Sequence, residues 1–156
     1  MKINVSVILP TFNERKNILI LLDKLLKLSN SYEIELIVVD DSSTDGTASA
    51  VRELAKKDRR IRLINRLGRA GLSSAIKEGC LCSTGDVLAV MDTDGQHEVK
   101  CISNGIKKLM DNKLDFVAGS RFLEKSDIKG LSNSRKGGSN LANYLARFSL
   151  PNKYSH

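Results

Sequence analysis

The stretch Val5-Ser-Val-Ile-Leu-Pro-Thr-Phe-Asn-Glu14 decides how this chain is read. Three of its first four residues are β-branched, and the apolar run ends in a polar turn that contains no glycine. That pattern predicts a strand over residues 5–9 and an immediate turn into a helix carrying Ile18, Leu21, Leu22, Leu25 and Leu26 on one face. The same alternation continues outward from it. Strands are expected over 35–39, 61–64, 86–91 and 115–119. Between them, helices are expected with Ala48, Val51, Leu54 and Ala55 inward, then Leu72, Ala75, Ile76 and Gly79, then Ile102, Ile106 and Leu109. The order β-α-β-α-β-α-β-α-β predicts an α/β fold with a mostly parallel central sheet and helices on both faces. Residues 124–138, rich in Ser, Gly, Asn and Lys, read as a mobile loop before a last helix over 139–148.

At 156 residues the chain is of one-domain length. Its 41% hydrophobic and 28% charged composition fits a folded globular protein, not a disordered one. The net charge of +7 is uneven: residues 121–156 hold seven basic side chains against two acidic ones. A basic segment of that kind attracts phosphates, nucleic acid or an acidic membrane surface, or is simply a solvated face. Cys80, Cys82 and Cys101 match no zinc spacing and are expected as reduced thiols filling the core. The start Met1-Lys2-Ile3-Asn4 lacks the basic-then-apolar pattern of a signal peptide, and no apolar run approaches the roughly 20 residues of a membrane span. A cytoplasmic protein is expected.

In parallel α/β sheets, ligands bind outside the carboxyl ends of the strands. There the expected elements place Glu14, Asp41, Asp92 and Asp94, with Arg121 after the fifth strand. The glycine-free first turn excludes the G-x-G-x-x-G dinucleotide fingerprint. No G-x-x-x-x-G-K-[ST] phosphate loop and no G-x-S-x-G elbow occurs. A phosphoacceptor domain with acids at its strand ends stays open, although it would want a Lys where this chain has Gly119-Ser-Arg-Phe122.

The sharpest feature is Asp92-Thr93-Asp94. Two carboxylates one residue apart, leaving a strand, can hold a hard divalent cation that also bridges a diphosphate. Gln96 can add a neutral oxygen. Taken alone, the pair fits two solvated acids in a loop that caps a helix better than it fits a cation site, because D-x-D occurs often by chance.

Four blocks occur in order: Val5-Ser-Val-Ile-Leu-Pro-Thr-Phe-Asn-Glu14, Val38-Val-Asp-Asp-Ser-Ser-Thr-Asp-Gly-Thr47, Met91-Asp-Thr-Asp-Gly-Gln-His97 and Gly119-Ser-Arg-Phe122. Together they resemble the family 2 glycosyltransferases of the GT-A fold, and more closely the dolichol-phosphate or polyprenyl-phosphate mannosyltransferase branch. The resemblance implies a metal-dependent, inverting transfer of a hexose, mannose or glucose, to a polyprenyl or dolichyl phosphate. The donor would be a nucleotide-diphosphate sugar such as GDP-mannose or UDP-glucose. It implies Mg²⁺ or Mn²⁺ at Asp92 and Asp94 with Gln96 assisting, and a nucleotide pocket formed by Pro10, Phe12, Glu14, Asp41 and Asp92. Asp94, Arg121 and Arg135 would act on the diphosphate. Arg69, between Gly68 and Gly71, is either a further phosphate contact or part of a tight turn.

The resemblance further implies a peripheral association with the cytoplasmic face of a membrane, and no nucleic-acid partner. Relatives continue past the point where this chain stops, so residues 1–156 are expected to form a single, C-terminally truncated GT-A domain. Two other readings stand beside transfer: a truncated relative that binds nucleotide sugar without turnover, and a nucleotidyltransferase or phosphoacceptor domain.

Overall fold

A computed structural model of the chain describes residues 2–68 and 71–119, all within the unit Met1–Gly119. Among them four strands form one sheet: β1 (Asn4–Thr11), β2 (Glu33–Asp40), β3 (Ile61–Asn65) and β4 (Val87–Val90). They alternate with α1 (Arg15–Leu26), α2 (Thr47–Lys57), α3 (Leu72–Leu81) and α4 (Lys100–Asp111), and a short 3-10 turn, Lys27–Asn30, follows α1. The strand order is β3-β2-β1-β4, with every neighbouring pair parallel.

The burial patterns explain the order. β1 is buried at every position after Asn4, and β2 nearly so, because both are central strands covered on two faces. On one face, Val5, Val7, Leu9, Leu36 and Val38 pack against Ile18, Leu21, Leu22 and Leu25 of α1, Val51 of α2, and Ile102 and Ile106 of α4. The spacing of the α1 residues puts all four on one stripe, each contributing roughly 1.5–3 kcal/mol on full burial. On the other face, Ile8, Ile37 and Val39 meet Ala75 of α3. Gly79 lets α3 lie close there, since a Cβ at that position would fall 2.5 Å from Ile8 Cγ2. Helices on both faces are therefore as expected.

Three expectations are corrected. Residues 115–119 form no strand: they have no ladder partner among the described residues, and Phe116 is 79% exposed. A short apolar run becomes a strand only where a neighbour takes up its backbone groups. Leu72 opens α3 but is exposed, so the buried stripe of that helix begins at Ala75. Cys101 lies exposed on α4 instead of filling the core, while Cys80 and Cys82 are half-buried; all three are free thiols. The expected loop over 124–138 and last helix over 139–148 lie outside the described residues.

The amino end of the sheet is closed by a half-buried polar cluster. Glu35 on β2 accepts hydrogen bonds from Ser6 Oγ at 2.5 Å, from the Thr84 N–H at 2.6 Å and hydroxyl at 2.8 Å, and from Arg62 Nη1 at 2.8 Å. Ser6 Oγ accepts in turn from the Gly85 N–H. Burial pushes the Glu35 carboxyl up, but the bonds from Ser6, Thr84 and Arg62 outweigh it and hold the group at about 2, down from 4.5.

Candidate active site at the carboxyl ends of the strands

Strand order reverses between β1 and β4, which makes their carboxyl ends the crevice where such sheets bind ligands. Thr11, Asp40 and Asn65 lie side by side at the ends of β1, β2 and β3, and the Met91 N–H bonds to the Ile8 carbonyl just past β4. The loops leaving these ends build the site.

The first two loops are stitched together. Asn13, in the left-handed region at φ 55°, donates its N–H to Ser43 Oγ at 2.7 Å, and its side-chain oxygen accepts from the Thr44 N–H at 2.8 Å. Asp45 caps two helices at once. Its Oδ2 accepts from the Arg15 N–H that opens α1, and its Oδ1 from the N–H and hydroxyl of Thr47 that opens α2. The hydroxyl bond from Thr47 is the main force lowering the Asp45 carboxyl below its ordinary value. Gly46, at φ 85°, makes the left-handed step into α2. Buried Asp40 orients the same turn, with Oδ2 accepting from the Ser43 N–H at 2.9 Å, while its Oδ1 meets no donor among the described residues.

Asp41 is held on both oxygens. Arg66 Nη1 donates to Oδ1 at 2.5 Å, and the Gly71 N–H donates to Oδ2 at 2.8 Å. Arg66, directly after β3, is only 2% exposed. Its Nη2 donates to Ser74 Oγ at 2.5 Å, and its Nε lies 3.2 Å from Glu78 Oε2, close enough to pair in charge but misaligned for a hydrogen bond.

Past β4 the loop is pinned by its middle residue. Thr93 is buried and donates its hydroxyl to the Pro10 carbonyl at 3.2 Å, so Asp92 and Asp94 on either side face solvent. Asp94 Oδ1 accepts from the Gln96 N–H at 3.0 Å. His97 Nε2 stands 3.7 Å from Asp92 Oδ2. Asn17 on α1 donates to Glu14 Oε2 at 2.6 Å and approaches the Asp94 carbonyl at 3.5 Å, spanning the first loop and the Asp-rich one.

Of the residues expected from sequence, the described structure thus puts Phe12, Glu14, Asp41, Asp92, Asp94 and Gln96 on loops at one end of the sheet, and Pro10 just before them, within β1. Pro10 itself is buried and serves through its carbonyl, whereas the Phe12 ring is 60% exposed on the rim. Gln96 touches Asp94 through its backbone. Arg69, Arg121 and Arg135 lie outside the described residues. Sequence reasoning missed Arg66, Asn17 and Thr93. Arg66 carried a usable signal, a basic residue at a strand's carboxyl end, but Asn17 and Thr93 carried none. A surface groove along Asn13–Asn17, Leu19 and Asp45 shares only Glu14 with the expected rim acids.

Among the described residues no three His, Cys, Asp or Glu side chains converge as a metal cage. Two exposed carboxylates with hard oxygens fit a different kind of site, one for Mg²⁺ or Mn²⁺ that keeps water and substrate phosphate among its ligands.

The chain matches Glycosyl transferase family 2 over residues 6–155. It is 36% identical to a dolichol-phosphate mannosyltransferase of Pyrococcus furiosus, over 94% of this chain and 41% of that protein. It is 34% identical to a dolichyl-phosphate beta-glucosyltransferase of Trichomonas vaginalis, over 82% of this chain and 42% of that one. Among solved structures, the mannosyltransferase PcManGT of Pyrobaculum calidifontis, in complex with GDP-Man and Mn²⁺, aligns at a TM-score of 0.61 and 31% identity, over 70% of this chain and 33% of that one. The chain spans about two fifths of the length of these curated relatives. No helix among the described residues is long and apolar enough to cross a membrane. The α/β sheet, its strand-end acids and the match along nearly all of the sequence lead to one conclusion: this chain belongs to glycosyltransferase family 2, with a GT-A fold.

Proposed function

We propose that this chain binds a nucleotide-diphosphate sugar, GDP-mannose or UDP-glucose, with Mg²⁺ or Mn²⁺, and transfers the hexose with inversion to a polyprenyl phosphate. The observation that carries the reading is the pinned Asp92-Thr93-Asp94 loop, whose buried threonine turns both carboxylates outward beside the end of β1. Asp92 and Asp94 would hold the cation, with Gln96 beside them. Bound there, it would supply neutralisation of the leaving diphosphate. Asp41 would take the N–H groups of the base, and Phe12 and Glu14 would border the nucleoside. Arg121 and Arg135 are assigned by family resemblance to the diphosphate, a task suited to a guanidinium fork. An acceptor phosphate is already an anion near neutral pH, so transfer to it needs no protein base. The basic residues beyond position 120 would draw this acceptor and its membrane surface from the cytoplasmic side.

Calorimetric titration of the chain and of Asp94→Asn with GDP-mannose and UDP-glucose, with and without Mn²⁺, tests the donor half. Radiolabel transfer to a short polyprenyl phosphate tests the other. Metal-independent binding that Asp94→Asn leaves unchanged would refute the cation assignment. Binding without transfer would leave the chain as a donor-recognition unit.

A further inference from the structure

Arg66 is a buried charge, 2% exposed, whose partners reach the rim. Its guanidinium sits between two acids, Asp41 and Glu78, with Ser74 Oγ at 2.5 Å. Ser74 and Glu78 are four residues apart on α3, so both face the same side of that helix and form a dock for the fork. Ser74 Oγ donates to the Gly71 carbonyl, and the Gly71 N–H donates to Asp41 Oδ2. The contacts therefore close a ring running Asp41, Arg66, Ser74, Gly71 and back to Asp41, joining the ends of β2 and β3 to the first turn of α3.

Such a ring fixes both the position and the plane of one carboxylate. An ionised carboxylate offers about four lone-pair sites. Arg66 takes one on Oδ1 and Gly71 one on Oδ2, leaving one on each oxygen for an incoming donor. Asp41 is half-buried, so it remains open to a ligand. A carboxylate fixed by two bonds loses little freedom when the ligand arrives.

We propose that Arg66 is the positioning residue of the nucleobase subsite, holding the Asp41 carboxylate in one plane through its dock on Ser74 and Glu78. The inference rests on the donor-binding reading above and adds a residue to it. Arg66 acts on the base end of the ligand only, because its side-chain contacts run to Asp41, Gly71 and α3 and none described runs to the Asp92-Thr93-Asp94 loop.

The test measures affinities for GDP, UDP and inorganic pyrophosphate, each with Mn²⁺, alongside thermal melting. Arg66→Lys keeps the charge and loses the fork. It is expected to weaken the better-bound nucleoside diphosphate by about tenfold and pyrophosphate by less than about twofold. In an Asp41→Asn background the same change is expected to add less than about twofold, because its target is already gone. Should Arg66→Lys lose its cooperative melt, Ser74→Ala removes one anchor and no charge, and an approximately threefold loss of the nucleoside diphosphate alone is expected. Equal weakening of pyrophosphate, undiminished loss in the Asp41→Asn background, or wild-type affinity in a folded variant would each overturn the proposal. If the unmodified chain binds neither nucleoside diphosphate, the donor-binding reading falls and this inference with it.

Discussion

Glu35→Gln should make the fold markedly less sensitive to acid. In the folded chain the Glu35 carboxyl titrates at about 2, against 4.5 when unrestrained. Between those values the folded state holds fewer protons than the unfolded one, so stability rises with pH there. The contribution is complete above about pH 5 and is lost as pH falls through 4.5 towards 2. The full displacement corresponds to about 3 kcal/mol. The Glu35 side chain is 15% exposed but Arg62 is 42% exposed, and allowing for solvent screening on that side leaves about 2 kcal/mol.

Urea unfolding of the chain and of Glu35→Gln at pH 7 and pH 3 isolates this share. Packing and hydrogen bonds lost with the amide are the same at both pH values and cancel in the difference. We expect Glu35→Gln to be destabilised at pH 7, with the gap narrowing at pH 3 by roughly 1 kcal/mol, somewhat more than half of the linked contribution. A gap of equal size at both pH values would refute the linkage and show the cluster to be held by packing alone.

Gly79→Ala should destabilise by about 1–3 kcal/mol, because its Cβ would meet the stiff, fully buried Ile8 at 2.5 Å and Val39 at 3.1 Å; urea melts check this. Gly85→Ala should destabilise more, since the obstacles include backbone, Ser6 N at 2.7 Å and the Val5 carbonyl carbon at 3.0 Å, and the same melts rank the two. Asp45→Ala uncaps α1 and α2 together and should lower the melting temperature. Asp45→Asn, which keeps an acceptor, should lower it less, and equal losses would show that the charge matters more than the hydrogen bonds. Asp94→Asn should reduce Mn²⁺-dependent nucleotide-sugar affinity by at least about tenfold, roughly 1.4 kcal/mol, while leaving the melting curve of the free chain nearly unchanged.

The strand and helix alternation was legible because the central strands are buried on both faces and read as unbroken apolar runs, while α1 repeats its leucines at helical spacing. The rim acids were legible for a topological reason: a parallel sheet sends every strand's carboxyl end the same way, so residues following the strands gather without further information. Residues 115–119 misled because their composition is strand-like while pairing is a property of the neighbour. The ties that shape the site were hidden. Asn13 to Thr44 and Asp45 to Arg15 each join residues about 30 apart in sequence, and Thr93 reaches back 83 residues to Pro10. Nothing in the local sequence says that the Glu35 carboxylate will be set among partners from other strands and loops.

The Glu35 cluster and the rim lie at opposite ends of the same strands. Glu35 and Asp40 are five residues apart on β2, about 16 Å of extended chain. At that separation, with no shared partners, changes at one end should combine additively with changes at the other. The sheet thus acts as an insulator between robustness and recognition. A lineage could drift at its strand-end loops while the Ser6, Glu35, Arg62 and Thr84 cluster keeps the scaffold intact.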